Sequence, residues 1–279
     1  MSEPQRETIP LPGGAVSCLS WNGPEPLLHF AHANGFNAET YRTLLSPLAE
    51  GFRIVASDAR GHGRTTLPTA AGSQQGWTIF CDDLIAMLDR IAPDGAILAG
   101  HSMGATASLM VAALRPDKVR ALVLVEPVLM PQGVGPGDND LARRAEKRRD
   151  AFASVDEAFT LYRGRGAFKT WPDDMLRDYL NGGLEQSDSG MRLSCRPAWE
   201  AGDFRTTPAG VSALADALRC PVTLIHAKEG TASAGEVAIF KTLYPATRVV
   251  TQMDATHFLP MEFPGLVRDE IRKIAGLVA

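Results

Sequence analysis

No apolar run in this 279-residue chain is long enough to cross a bilayer, so a membrane-spanning protein is not expected. Cysteine is scarce: Cys18, Cys81, Cys195 and Cys220 lie far apart and form no CxxC pair. That spacing excludes a zinc ribbon and a disulfide scaffold, and reduced thiols are expected. Basic surplus is absent too. The net charge is −4, which argues against nucleic acid or an anionic membrane as partner. The densest basic run, ARRAEKRR (142–149), is broken by Glu146 and reads as a solvated helix face. The N-terminal MSEPQRETIPLPGG is polar, without the apolar stretch of a signal peptide, so the cytoplasm is the expected location. Internal repeats and low-complexity tracts are missing as well.

What is present is enough apolar material, 45% of residues, for a sizeable core. Short and nearly continuous apolar runs occupy 27–32, 52–58, 96–100, 121–126, 222–227 and 247–251, as expected of parallel strands buried on both faces. Helical patterns alternate with them, so the expected fold class is α/β, a mostly parallel sheet flanked by helices. The alternation stops between Pro127 and about Ser212, where several helical patterns and no buried-strand run occur. The expected organisation is a core of 1–126 and 213–279 carrying a helical cap of 127–212.

The strongest chemical signal is AILAGHSMGATASLMVAAL (96–114), a strand that runs through Gly100-His101-Ser102-Met103-Gly104 into a helix of small residues. G-x-S-x-G in this context is a nucleophile elbow. A sharp strand-to-helix turn strains the serine backbone, and glycines on either side let neighbouring backbone pass close. Ser102 is thereby placed at a helix N-terminus, where a developing negative charge is favoured. A serine hydroxyl needs a base, and His257 is the best placed of six histidines, in a loop between the last strand and the last helix. The first oxyanion donor expected is the Met103 amide. The second belongs in the loop HANGFN (32–37), with the Phe36 amide preferred and Asn34 its rival.

The chain resembles the α/β-hydrolase superfamily, in its cap-bearing form. HANGF resembles that family's oxyanion loop, DARGHGRT the loop after its next strand, GHSMGA its elbow, and ATHFLPMEFP its histidine loop. The resemblance spans nearly the whole chain and implies a serine hydrolase without metal or organic cofactor. Members that open epoxides or displace halide carry an aspartate where this chain has Ser102, so those chemistries are not expected.

One element of the family pattern is missing. The acid that orients the histidine usually follows the strand matching VTLIHA, in a turn where this chain has Gly230. The family's second placement is the end of the preceding strand. Here ALVLVE ends on Glu126, a lone carboxylate in an apolar run and costly to bury without a partner. Glu126 is the preferred acid, with Glu229, Asp254 and an acid-free dyad as alternatives.

The expected reaction is hydrolysis of a small-to-medium carboxylic ester or lactone through an acyl-enzyme. Cleavage of a C–C bond, acyl transfer, perhydrolysis, and a degenerate hydrolase that only binds a small molecule remain alternatives. His101, Met130, Trp171 and Phe258 are candidate substrate contacts, and Phe159, Tyr162, Phe168 and Trp199 candidate cap aromatics. Arg163 and Arg165 in YRGRGAF could clamp a carboxylate, although a solvated loop is the simpler reading. The partner expected is a small-molecule substrate, with a homodimer left open.

Overall fold

The computed structural model describes residues 3–70, 72–133, 137–228 and 230–278. Its strands in chain order are β1 (Gln5–Leu11), β2 (Gly14–Trp21), β3 (Leu27–Ala31), β4 (Arg53–Ser57), β5 (Ala96–His101) and β6 (Val119–Val125). They continue with β7 (Ala151–Phe152), β8 (Leu184–Ser187), β9 (Gly190–Leu193), β10 (Val222–Ala227) and β11 (Arg248–Gln252). Eight of them form one sheet in the order β1-β2-β4-β3-β5-β6-β10-β11. From β4 to β11 every neighbouring pair is parallel, whereas β1–β2 and β2–β4 are antiparallel. Strands β5 and β10 are buried along their whole length, which is why their sequences are nearly all apolar. One apolar core lies on each face of the sheet, and one of the two continues into Phe159, Phe168, Trp171 and Tyr179, in the segment between β6 and β10.

Strand order also locates the site. From β3 the chain steps to β4 on one side and then returns to β5 on the other. In open parallel sheets such a reversal opens a crevice at the carboxyl ends of the two strands. The loops that leave β3 and β5 are HANGFN and the elbow.

Between β6 and β10 lie helices Asp140–Glu146, Val155–Tyr162, Asp173–Gly183 and Pro197–Arg205. Asn139 and Ser154 cap the first two, accepting from the amides of Ala142 and Glu157. The region is not purely helical, however, because β7, β9 and β8 form a small antiparallel sheet. These strands have two to four residues and are partly exposed, so they leave no apolar run to read. Among the described residues no helix is long and apolar enough to cross a membrane.

Candidate active site

The elbow follows from close packing. Ser102 has φ 55° and ψ −118°, outside the comfortable region for a side chain, and sits at the N-terminus of the helix Met103–Leu114. Its amide donates to Val125 O at 3.0 Å, anchoring the turn to the end of β6. A β-carbon on Gly104 would stand 2.3 Å from Ala31 O, so only glycine lets this helix start against β3.

His257 Nε2 lies 3.0 Å from Ser102 Oγ, and His257 Nδ1 lies 3.1 Å from Glu126 Oε2. Glu126 is 0% exposed and has φ 49°. Such a carboxylate needs several donors to offset desolvation. Ala227 N–H donates to Oε1, and Thr231 N–H donates to Oε2 at 3.0 Å. The Thr231 hydroxyl also donates to the Glu126 carbonyl at 3.0 Å and lies 3.3 Å from His257 Nδ1. Asp254 is exposed in the turn after β11 and makes no hydrogen bond to the imidazole. Glu229 lies outside the described residues. Gly230 is described: a β-carbon there would fall 2.1 Å from Glu126 Oε2. The position where the family pattern expects an aspartate is thus filled by the carboxylate of Glu126, reaching across from β6.

The oxyanion loop requires a correction. Phe36 N–H is engaged, donating to Ala33 O at 3.1 Å to close a turn, and Gly35 N–H donates to His62 Nε2 at 3.0 Å. The Asn34 amide has no acceptor among the described residues, so Asn34 replaces Phe36 as the free donor. The Met103 amide, in the first helical turn, has no partner within its helix.

His101 is corrected as well. It is fully buried and absent from the cavity wall. Its Nε2 lies 2.8 Å from the His257 carbonyl, which can only accept, so Nε2 carries the proton. Nδ1 then accepts from the Tyr41 hydroxyl at 2.8 Å, and that hydroxyl accepts from Ala33 N–H at 3.1 Å. The chain ties the oxyanion loop, the elbow and the histidine loop together. Sequence reasoning missed both Tyr41 and Thr231, whose roles arise only when distant loops meet.

A cavity of about 1050 Å³ opens above Ser102 and His257. Met130 and Phe258 line it, as do Tyr162 and Phe168. Trp171 does not; it packs edge-on against Phe36 and Phe258, behind the wall. Arg163 pairs with Asp173 at the surface, while Arg144, Arg148 and Arg149 line the cavity. The last three belong to the run read above as a solvated face. Helical spacing gives no signal for this placement, because the helix ends at Glu146, before Arg148 and Arg149.

Burial holds His29 and His62 down to about 3, and lowers His32 and His101 as well. The His29 and His62 imidazoles stay neutral in the folded state, so between pH 6.5 and about 3 the unfolded chain binds more protons at these two positions. Stability should therefore fall as pH drops below 6.5, by roughly 1–2 kcal/mol at pH 5 for each of His29 and His62. Urea titrations at pH 7.5 and 5 measure this, and equal unfolding free energies would contradict it.

Fold and site together define the class, and sequence comparison agrees with them. The chain belongs to the alpha/beta hydrolase family, whose model matches residues 30–270. It is 27% identical over 241 residues to the 2-(acetamidomethylene)succinate hydrolase of Mesorhizobium japonicum, covering 85% of this chain and 83% of that one. It is 32% identical to an esterase of Mycobacterium tuberculosis over 123 residues, 44% of this chain and 40% of the esterase. Among solved structures, an E-2-(acetamidomethylene)succinate hydrolase superposes with TM-score 0.81 at 23% identity, covering 98% of this chain and 99% of that one. A thioesterase domain from the curacin biosynthetic pathway superposes with TM-score 0.79 at 20% identity, covering 97% and 100%.

Proposed function

We propose that this protein is a serine hydrolase that cleaves a small-to-medium carboxylic ester or lactone through an acyl-enzyme. The supporting observation is the continuous hydrogen-bonded line from Ser102 Oγ through both nitrogens of His257 to the buried Glu126 carboxylate. On this reading Ser102 Oγ attacks the carbonyl carbon while its proton passes to His257 Nε2. The amides of Met103 and Asn34 hold the oxygen that becomes negative. As the tetrahedral adduct collapses, the imidazolium returns the proton to the departing oxygen. Water, deprotonated by the same nitrogen, then attacks the acyl carbon and releases Ser102. Glu126 keeps the Nδ1–H tautomer and offsets the imidazolium charge, while Thr231 and His101 position the pair. Phe258 and Met130 belong to the substrate wall.

A second reading, the same steps on a C–N bond, is favoured by the relative that spans 85% of this chain, which is named for an acetamido compound. A fluorophosphonate probe tests the shared nucleophile. The wild-type protein should be labelled on Ser102, and Ser102→Ala should not. An unlabelled wild type would place the chain among degenerate hydrolases that only bind. A panel of esters, lactones and acetamides then separates the two readings.

A further inference from the structure

Building on the assignment of Ser102 as nucleophile, we propose that the cap wall of the cavity is a carboxylate subsite formed by Arg144 and Arg148, so that preferred substrates carry an anionic group besides the bond that is cut. Six charged side chains line the cavity: Asp138, Asp140, Arg144, Arg148, Arg149 and Glu200. Their formal charges cancel, so the proposal rests on pairing and not on net field. Asp138 is paired with Arg143 and Arg205, Asp140 with Arg143, Glu200 with Arg148, and Arg149 with Glu157. Arg144 alone of the six has no ion pair among the described residues.

Arg148 supplies the fixed part of the site. Its guanidinium donates to Glu200 Oε2 at 2.7 Å and to the Tyr179 hydroxyl, which uses two of five N–H donors. Held in this way it loses little rotamer freedom on binding an anion. Beside it stands Tyr162, with its ring 5.9 Å from the guanidinium carbon and its hydroxyl buried without a partner among the described residues. Arg144, inside the helix Asp140–Glu146, and Arg148, two residues past its end, both line the cavity. The remaining wall includes Phe36, Phe168 and Phe258. Arg148, with 17% of its side chain exposed, is screened less by solvent than a cation at an open surface. Arg144 is itself exposed, and a neutral substrate would leave it without an ion pair among the described residues.

The test compares the 4-nitrophenyl monoester of glutaric acid with its neutral methyl diester. The wild type should show a kcat/KM at least tenfold higher for the anionic ester. Arg144→Gln, a change at an exposed side chain, should lower that ratio at least tenfold. A wild-type preference for the neutral ester, or an unchanged ratio in folded Arg144→Gln protein, would overturn the proposal. Binding separates this from failure of the nucleophile assignment. In Ser102→Ala protein, calorimetry should find glutarate bound at least tenfold more tightly than dimethyl glutarate, with the difference removed by Arg144→Gln. No preference for glutarate there overturns the subsite, whatever the turnover.

Discussion

Glu126→Gln is expected to lower kcat roughly 10³- to 10⁴-fold on any ester that the wild type turns over, with the fold retained. The carboxylate faces donors on both oxygens: Ala227 N–H at Oε1, and Thr231 N–H with His257 Nδ1 at Oε2. A glutamine amide has one acceptor oxygen. If its nitrogen takes the Oε2 side, it meets Thr231 N–H and drives the imidazole into the tautomer whose Nε2 cannot accept from Ser102. If its nitrogen takes the Oε1 side, Ala227 N–H is left without an acceptor and the imidazolium still lacks its counter-charge. Because Glu126 is 0% exposed, water cannot replace that charge. Glu126→Asp keeps the charge and tolerates the positive φ, so it should retain more activity than the glutamine variant. Steady-state kinetics on both proteins, with thermal melting as a control for folding, decide the matter. Glutamine turnover within tenfold of wild type would remove Glu126 from the mechanism.

The features legible in the sequence were those whose physics is local. Strands β3 to β6 and β10 are legible because their burial makes their sequences largely apolar, whereas β11, a partly exposed edge strand, is legible only from the pair Val249-Val250. Strands β1 and β2 are not legible: QRETIPL, at the sheet edge, is mostly exposed, and GAVSCLSW, although mostly buried, is interrupted by Ser17 and Ser20. Ser102 was legible from its flanking glycines, and Glu126 because a lone carboxylate ending an apolar strand requires a reason. Backbone hydrogen bonding in the oxyanion loop was not legible, which is why Phe36 was preferred to Asn34. The inward turn of Arg144 and Arg148 was hidden for a related reason. Spacing tells which residues share a helix face, but not where the helix ends or whether that face meets water or a cavity.

Gly230→Ala is the second large effect expected, a loss of at least 10² in kcat together with roughly 1–3 kcal/mol of stability from overpacking. The added β-carbon would lie 2.1 Å from Glu126 Oε2, 2.3 Å from Oε1 and 2.5 Å from Cδ. The carboxylate must leave its place, and with it go the bonds to Thr231 N–H and His257. The same distances explain why an aspartate is missing after β10: position 230 and the Glu126 side chain compete for one volume beside the imidazole. Gly230→Asp alone should therefore be as damaging as Gly230→Ala. Combined with Glu126→Gly, which clears the volume and suits the φ of 49° at that residue, it should restore at least tenfold of the lost kcat. Kinetics on the three variants test this exchange. Wild-type turnover by Gly230→Ala would show that the carboxylate has room to spare, and that the glycine is there for some other reason than the placement of the acid.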